Sequence, residues 1–230
     1  MSPLSLPVKI AYIKNMNIIY DEDKKNKVTR MLDHLSLLYP EAGTRLIFHN
    51  TFELLVAVVL SAQSTDEQVN RVTANLFRVA DTPVKMAGLA IAELEELIRG
   101  VGIYKNKARH LHELAIMLQE HYGGEVPNSF EELLKLPGVG RKSANVVMSV
   151  GFHLPGLGVD THVQRVSYRT GLASGKRNET TEMELKKQIP PERWGEAHHL
   201  LIYHGRYVCK ARKPACANCE LADDCLKRID

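Results

Sequence analysis

All four cysteines of the chain lie close together near its end, in the pattern Cys209-x6-Cys216-x2-Cys219-x5-Cys225. Between them stands a single large apolar residue, Leu221, so hydrophobic burial alone cannot fold this segment. Thiolates gathered this tightly usually hold a metal ion or a cluster, and bound metal can supply the missing folding free energy. Only Cys216 and Cys219 form a CxxC unit, whereas four-cysteine zinc sites often contain two. The spacing therefore favours a cluster but leaves zinc open.

The remaining composition describes a globular chain. With 230 residues, of which 44% are hydrophobic, it can form one or two domains. Its longest apolar run, residues 54–60, is too short to cross a membrane, and the first residues do not resemble a signal peptide. Clustered cysteines without a secretion signal indicate a reducing compartment. We therefore expect a cytoplasmic protein with no membrane partner.

Helical periodicity runs through almost the whole chain, and no sustained alternation typical of strands occurs. Residues 52–63 are apolar nearly all round, as in a buried central helix. Thr65 with Gln68 has the pattern of a capping box, and Gly100 and Gly123 are placed to end helices in the left-handed conformation. These signals predict an all-α fold with short loops.

Basic residues concentrate in three segments, 99–109, 135–169 and 204–213, which together contain one acid, Asp160. Each segment could simply be a solvated helix face, the usual meaning of such a run. If the segments converge on one surface, they form a footprint for the phosphate groups of nucleic acid.

The segment LPGVGRK, residues 136–142, lies between two helical segments. Its glycines allow a tight turn and close approach of the backbone to a ligand, and free N–H groups at the next helix start point toward an anion. A helix-hairpin-helix of this kind binds the DNA backbone without reading bases. An ordinary corner between helices is the alternative, but the length of the motif favours DNA. The residues predicted to contact DNA here are Gly138, Val139, Gly140 and Arg141.

Lys142 and Asp160 are the candidate catalytic residues. Lys142 falls in the first turn of a helix, where the helix dipole and Arg141 both favour the neutral amine that a nucleophile requires. Asp160 begins a later helix, where the simplest role is that of an N-cap, which is compatible with catalysis. His162 is equally consistent with a phosphate or active-site contact and with a structural role. The spacing alone does not show that Lys142 and Asp160 face each other.

Five segments, together with the cysteines, resemble the endonuclease III family of helix-hairpin-helix DNA glycosylases. In chain order they are LLVAVVLSAQSTD, VGIYKNKA, LPGVGRKSANVV, VDTHVQRV and HHLLIYHGR. The resemblance implies two all-α domains with DNA in the cleft between them. A six-helix domain with the hairpin covers residues 44–154, and a cluster domain joins residues 26–43 to 155–230. Residues 1–25 show no match and are expected to form an extension that need not be ordered.

The resemblance also implies the chemistry. The family excises oxidised pyrimidines in base excision repair and then nicks the strand at the abasic site, as a glycosylase and lyase. Lys142 matches its nucleophile, and Asp160 matches its catalytic carboxylate. Gln63 matches a residue that fills the gap left by the extruded base, and Ile103 stands where a leucine usually wedges into the duplex. The implied cofactor is a [4Fe–4S] cluster on Cys209, Cys216, Cys219 and Cys225.

The expected partner is double-stranded DNA with oxidised pyrimidines or abasic sites, bound by a monomer that is associated with the nucleoid if the source is prokaryotic. A second basic contact with DNA is expected from the loop between the first two cysteines, through Lys210, Arg212 and Lys213. Two alternatives stay open. One is a monofunctional glycosylase, which the presence of Lys142 disfavours, and the other is a non-catalytic DNA-binding module with structural zinc.

Overall fold

The computed structural model describes residues 22–175 and 177–229, and all regular elements in these residues are helical. This confirms the all-α fold class. Among the described residues no helix combines the length and the apolar character of a membrane span. The α-helices are α1 Glu22–Leu38, α2 Thr51–Leu60, α3 Asp66–Val79, α4 Pro83–Ala87, α5 Ile91–Leu97, α6 Tyr104–Tyr122, α7 Phe130–Leu133, α8 Arg141–Val146, α9 Thr161–Thr170, α10 Asn178–Lys186 and α11 Trp194–Tyr207.

The chain divides into two compact units. One is Arg45–His153, and the other joins the described residues 22–44 to those of 154–229. Most of the expected N-terminal extension, residues 1–21, lies outside the described residues, whereas residues 22–25 belong to α1.

The unit Arg45–His153 is built around α2. All residues from Phe52 to Leu60 are buried, which confirms the central apolar helix. Around it pack α3, α6 and α8, followed by a π-helical turn at Val147–Gly151 that the sequence did not predict. A side chain at Gly151 would approach Leu54 and Thr51 to 3.0 Å, so this turn lies directly against α2.

The helix ends test the capping predictions. Thr65 and Gln68 form the reciprocal capping box at the start of α3. Gly123 ends α6 in the left-handed conformation, with φ of 60°. The same prediction for Gly100 is wrong, because α5 already ends at Leu97 and Gly100 is not left-handed. A Cβ at Gly100 would lie 3.0 Å from Val72, so glycine there permits close packing on α3.

The other unit packs α1, α9, α10 and α11 around the buried Trp194, whose Nε1 donates to the carbonyl of Ile189 at 2.8 Å. Helices α9 and α11 approach closely at Gly205, where a Cβ would lie 3.0 Å from the Cβ of His162. This contact places the first turn of α9 against α11, which leads directly into the four-cysteine segment.

Candidate functional site

The hairpin between α7 and α8 needs both of its glycines, for different reasons. Gly138 has φ of 77°, and a Cβ on it would lie 3.1 Å from His110 and 3.2 Å from Val59. Gly140 is the N-cap of α8 in an extended conformation, and a Cβ there would meet nothing within 4 Å. Gly140 has no side chain to cap α8, so a ligand can approach the start of this helix at Gly140. The side chain of Val139 is buried, so only its backbone can contact a ligand.

Lys142 is the second residue of α8 and is half-buried. Within the described residues its Nζ forms no hydrogen bond or ion pair. The neighbouring guanidinium of Arg141 lies over the ring of Phe130, 5.0 Å from its centroid. The amine of Lys142 is therefore uncommitted, as a nucleophile must be.

Asp160 is the N-cap of α9, as expected. Its Oδ1 accepts the backbone N–H groups of His162 at 2.8 Å and Val163 at 2.9 Å. Its Oδ2 lies 3.3 Å from Nδ1 of His162. The cap fixes the orientation of the carboxylate, and the imidazole of His162 stands beside its second oxygen. Lys142 belongs to the unit Arg45–His153, and Asp160 belongs to the other unit.

Gln63 and Ile103 lie on two loops that touch each other. The backbone N–H of Gly102 donates to Oγ of Ser64 at 3.0 Å, and a Cβ on Gly102 would lie 2.7 Å from the carbonyl oxygen of Gln63. Both residues have left-handed backbones, with φ of 54° at Gln63 and 51° at Ile103. Both side chains are exposed, that of Ile103 at 52%. The structure thus brings together two residues that are 40 positions apart in the sequence.

Lys107 lies behind these loops and is 2% exposed. Its Nζ donates to the carbonyl of Leu60 at 2.8 Å, the carbonyl of Ala62 at 2.5 Å and Oγ of Ser64 at 3.1 Å. Burial lowers the pKa of Lys107 to about 8. Its interpretation as part of a basic surface is therefore wrong. One sequence signal could have distinguished Lys107 from a surface lysine. It stands at the helical spacing of the buried face of α6, which contains Leu111, Leu114 and Leu118.

The four thiols line a single cavity, which encloses about 330 Å³ of space partly open to solvent. In the described part of the chain no group of three or more His, Cys, Asp or Glu side chains is arranged to hold one metal ion. Burial raises the pKa of the Cys219 thiol, and the other three cysteines raise it further. Four thiols that line one cavity match the number of ligands that a [4Fe–4S] cluster requires, and bound iron would compensate the charge of the thiolates.

Nitrogen groups also face the sulfur atoms. Nη1 of Arg169 donates to Sγ of Cys209 at 3.7 Å, and Nε2 of His204 lies 3.6 Å from Sγ of Cys219. Burial lowers the pKa of His204 to about 4, so its ring is neutral and donates to the Cys219 sulfur in the tautomer that carries the proton on Nε2. Such donors stabilise thiolate ligands and are typical surroundings of iron–sulfur clusters.

Two arginines of α9 hold the segment of residues 209–225, here called the cluster loop. Arg165 and Arg169 point their guanidinium groups at backbone carbonyls at distances of 2.7–3.1 Å. The accepting residues are Gly205, Cys209, Lys210 and Ala211. The sequence placed both arginines in a basic segment that could be a solvated face or part of a phosphate footprint, and in the structure their guanidinium groups bind backbone carbonyls. The side chains of Lys210, Arg212 and Lys213 are exposed, so the arginines fix the loop backbone that presents them.

Known proteins match this architecture over most of the chain. Residues 56–191 match the family of HhH-GPD superfamily base excision DNA repair proteins, and residues 209–225 match the iron-sulfur binding domain of endonuclease III. Endonuclease III of Bacillus subtilis is 48% identical over 84% of this chain and 89% of its own length. Endonuclease III of Escherichia coli K12 is 45% identical over 87% and 95%. A solved structure of a trapped endonuclease III–DNA covalent intermediate covers 88% of this chain and 96% of its own, with 47% identity and a TM-score of 0.84.

Proposed function

Because the chain belongs to the endonuclease III family of HhH-GPD base excision DNA repair proteins, we propose that it removes oxidised pyrimidines and then cuts the strand by β-elimination. The family assignment makes it a DNA glycosylase with abasic-site lyase activity, and its four cysteines bind a [4Fe–4S] cluster. Beyond this assignment, we propose the class of lesion, the lysine mechanism and action as a monomer.

DNA binding rests on the hairpin and the cluster loop. The uncapped N–H groups at the start of α8 stand next to the open space at Gly140, where a DNA phosphate can approach them. Lys210, Arg212 and Lys213 provide a second, electrostatic contact. A cluster bound by the four cysteines would hold the cluster loop together through iron–thiolate bonds.

Reaching the glycosidic bond requires the damaged base to leave the stack, which costs a few kcal/mol. Gln63 and Ile103 are exposed on adjoining loops, so both can enter the vacated space together. This placement and the family resemblance support the roles proposed for them in the duplex.

The uncommitted amine of Lys142 carries the proposed mechanism. Its nitrogen attacks C1′ of the damaged nucleotide, the C1′–base bond breaks, and the base leaves with a proton. Asp160, held by its cap, assists proton transfer and stabilises positive charge on the sugar. The sugar ring then opens, the C1′–O4′ bond breaks and O4′ takes up a proton, which gives a Schiff base that acidifies the C2′ hydrogens. Removal of one of them expels the 3′ phosphate and cuts the strand. The related protein trapped covalently on DNA is consistent with this chemistry.

Borohydride trapping tests the proposal. Wild-type protein should incise duplexes that contain thymine glycol or an abasic site, and borohydride should convert the Schiff base to a stable protein–DNA adduct. Lys142→Gln should bind the same DNA without incision or trapping. Lys85→Gln, which removes an exposed lysine of α4, is the control and should behave as wild type.

Two results would contradict the mechanism. Incision by wild-type protein without any trapped adduct would exclude the lysine intermediate. Base release without strand cleavage would instead support a monofunctional glycosylase. Size-exclusion chromatography with light scattering of the protein bound to a single-lesion duplex tests the monomeric state.

A further inference from the structure

We infer that Lys107 is a positioning residue that holds the loops of Gln63 and Ile103 as one rigid unit, so that both side chains enter the DNA gap together. This inference rests on the proposed function, because it concerns how the gap is filled. It adds a third, buried residue to the two that the sequence identified.

The hydrogen bonds of Lys107 carry the inference. An ammonium group has three donors, and the three acceptors around Lys107 are the carbonyls of Leu60 and Ala62 and the hydroxyl of Ser64. All three belong to the end of α2 and the loop that contains Gln63. Lys107 itself lies in the first turn of α6, which begins immediately after Ile103. One side chain thus ties the Gln63 loop to the helix that carries Ile103.

Ser64 provides a second link between the loop of Gln63 and the loop of Ile103. Its Oγ accepts from Lys107 at 3.1 Å and also from the backbone N–H of Gly102 at 3.0 Å. Gly102 immediately precedes Ile103, and a Cβ on it would collide with the carbonyl of Gln63 at 2.7 Å. The two loops are therefore in direct backbone contact, with Ser64 and Lys107 joining them from the protein side.

The hydrogen bonds of Lys107 and Ser64 hold an unusual backbone conformation at Gln63 and Ile103. Gln63 and Ile103 are both left-handed, a conformation that residues other than glycine rarely adopt and keep only when their surroundings enforce it. The C-terminal end of α2 also favours a positive charge at this point. Lys107 is not a second nucleophile, because it is buried and every donor on its nitrogen is used.

Loss of the ammonium should release both loops. A displacement of about 1 Å in a positioning group can cost about 100-fold in rate. We therefore expect Lys107→Met, which keeps most of the length of the side chain but removes its donors, to slow single-turnover incision of thymine-glycol duplex by up to about 100-fold. Ser64→Ala removes only the bridging hydroxyl and should give a smaller loss. Lys85→Met is the matched control, since it removes an equal charge from the surface of the same unit.

Two further measurements distinguish positioning from a general structural effect. Fluorescence of 2-aminopurine next to an abasic site reports unstacking, and its increase on binding should shrink in Lys107→Met. The rate losses should also be non-additive with the double variant Gln63→Ala/Ile103→Ala, because Lys107 acts through those two side chains. All rates are compared at a temperature at which circular dichroism shows each variant to be folded.

The outcomes separate the inference from the proposed function. Incision and fluorescence equal to those of Lys85→Met would overturn the inference, as would rate losses that multiply fully with the double variant. If Lys107→Met does not fold, Ser64→Ala decides by the same criteria. Wild-type protein that binds abasic DNA but does not incise thymine-glycol duplex would overturn the proposed function instead, and the fluorescence comparison would still decide the role of Lys107.

Discussion

Burial of the Lys107 ammonium makes part of the protein's stability depend on pH. The pKa of this group falls from 10.5 to about 8 in the folded chain, because burial disfavours the charged form. Below pH 8 the folded and unfolded chains both hold the proton, so the full cost of burying the charge opposes folding. Between pH 8 and 10.5 the folded chain has released a proton that the unfolded chain keeps. The free energy of unfolding therefore rises with pH in this window.

The size of this effect follows from the shift. One proton corresponds to a slope of about 1.4 kcal/mol per pH unit, which gives about 2 kcal/mol between pH 8 and pH 10 once partial titration is included. Lys107→Met cannot titrate, so wild-type protein should gain this amount relative to the variant over that interval. Subtracting the free energy of unfolding of the variant from that of wild type, at each pH, removes the contribution of groups that titrate alike in both proteins.

Urea titrations of the cluster-loaded proteins, followed by circular dichroism from pH 7 to pH 10, measure this difference. Lys85→Met is the control, because Lys85 is exposed and lies 2.8 Å from Asp81 in a surface ion pair. Its difference from wild type should stay nearly constant over the same interval. Parallel stability curves for wild type and Lys107→Met would refute the reasoning, since they would mean that the ammonium is not desolvated in the folded state.

Six further variants probe the hairpin, the carboxylate and the cluster loop. Gly138→Ala should cost about 1–2 kcal/mol of stability in urea because of its positive φ, whereas Gly140→Ala should leave stability unchanged and weaken DNA binding in an anisotropy titration. Asp160→Asn should keep its cap, and so its melting temperature, but lose incision, while Asp160→Ala should lose about 1 kcal/mol as well. Arg169→Met should speed the loss of visible cluster absorbance in the presence of a chelator, because the loop loses two carbonyl bonds. Cys216→Ala should lower solubility and DNA affinity before it alters any chemical step, and full affinity in a cluster-free protein would contradict this.

Local sequence signals predicted the helix starts well. The capping box of Thr65 and Gln68 and the cap at Asp160 involve residues only two or three positions apart, so the sequence contains all their partners. The end of α5 could not be predicted in this way. Gly100 has the composition of a helix stop, but its contact is with Val72 on α3, which no local pattern reveals.

The meeting of Gln63 and Ile103 was equally hidden from the sequence. It depends on how α2 and α6 pack, and on a hydrogen bond between residues 64 and 102. The left-handed φ values at both residues are a result of that packing, since neither glutamine nor isoleucine favours the conformation by itself. Motif resemblance identified the two residues but gave no reason for their geometry.

The basic segments show most clearly what a count of charges leaves out. Lys107, Arg169 and Lys142 all fall within such segments, yet the donors of Lys107 are saturated by two carbonyls and a hydroxyl, and those of Arg169 bind the cluster loop. Lys142 alone among these three keeps its nitrogen uncommitted in the described structure. A nucleophile needs a free lone pair and a path to substrate, so the hydrogen-bond partners of a cation, more than its position in a charge run, decide whether it can react. The same reasoning predicts that an acyl-phosphate or aldehyde reagent will modify Lys142 well before Lys107, and peptide mapping of the native protein would reveal the opposite order if it is wrong.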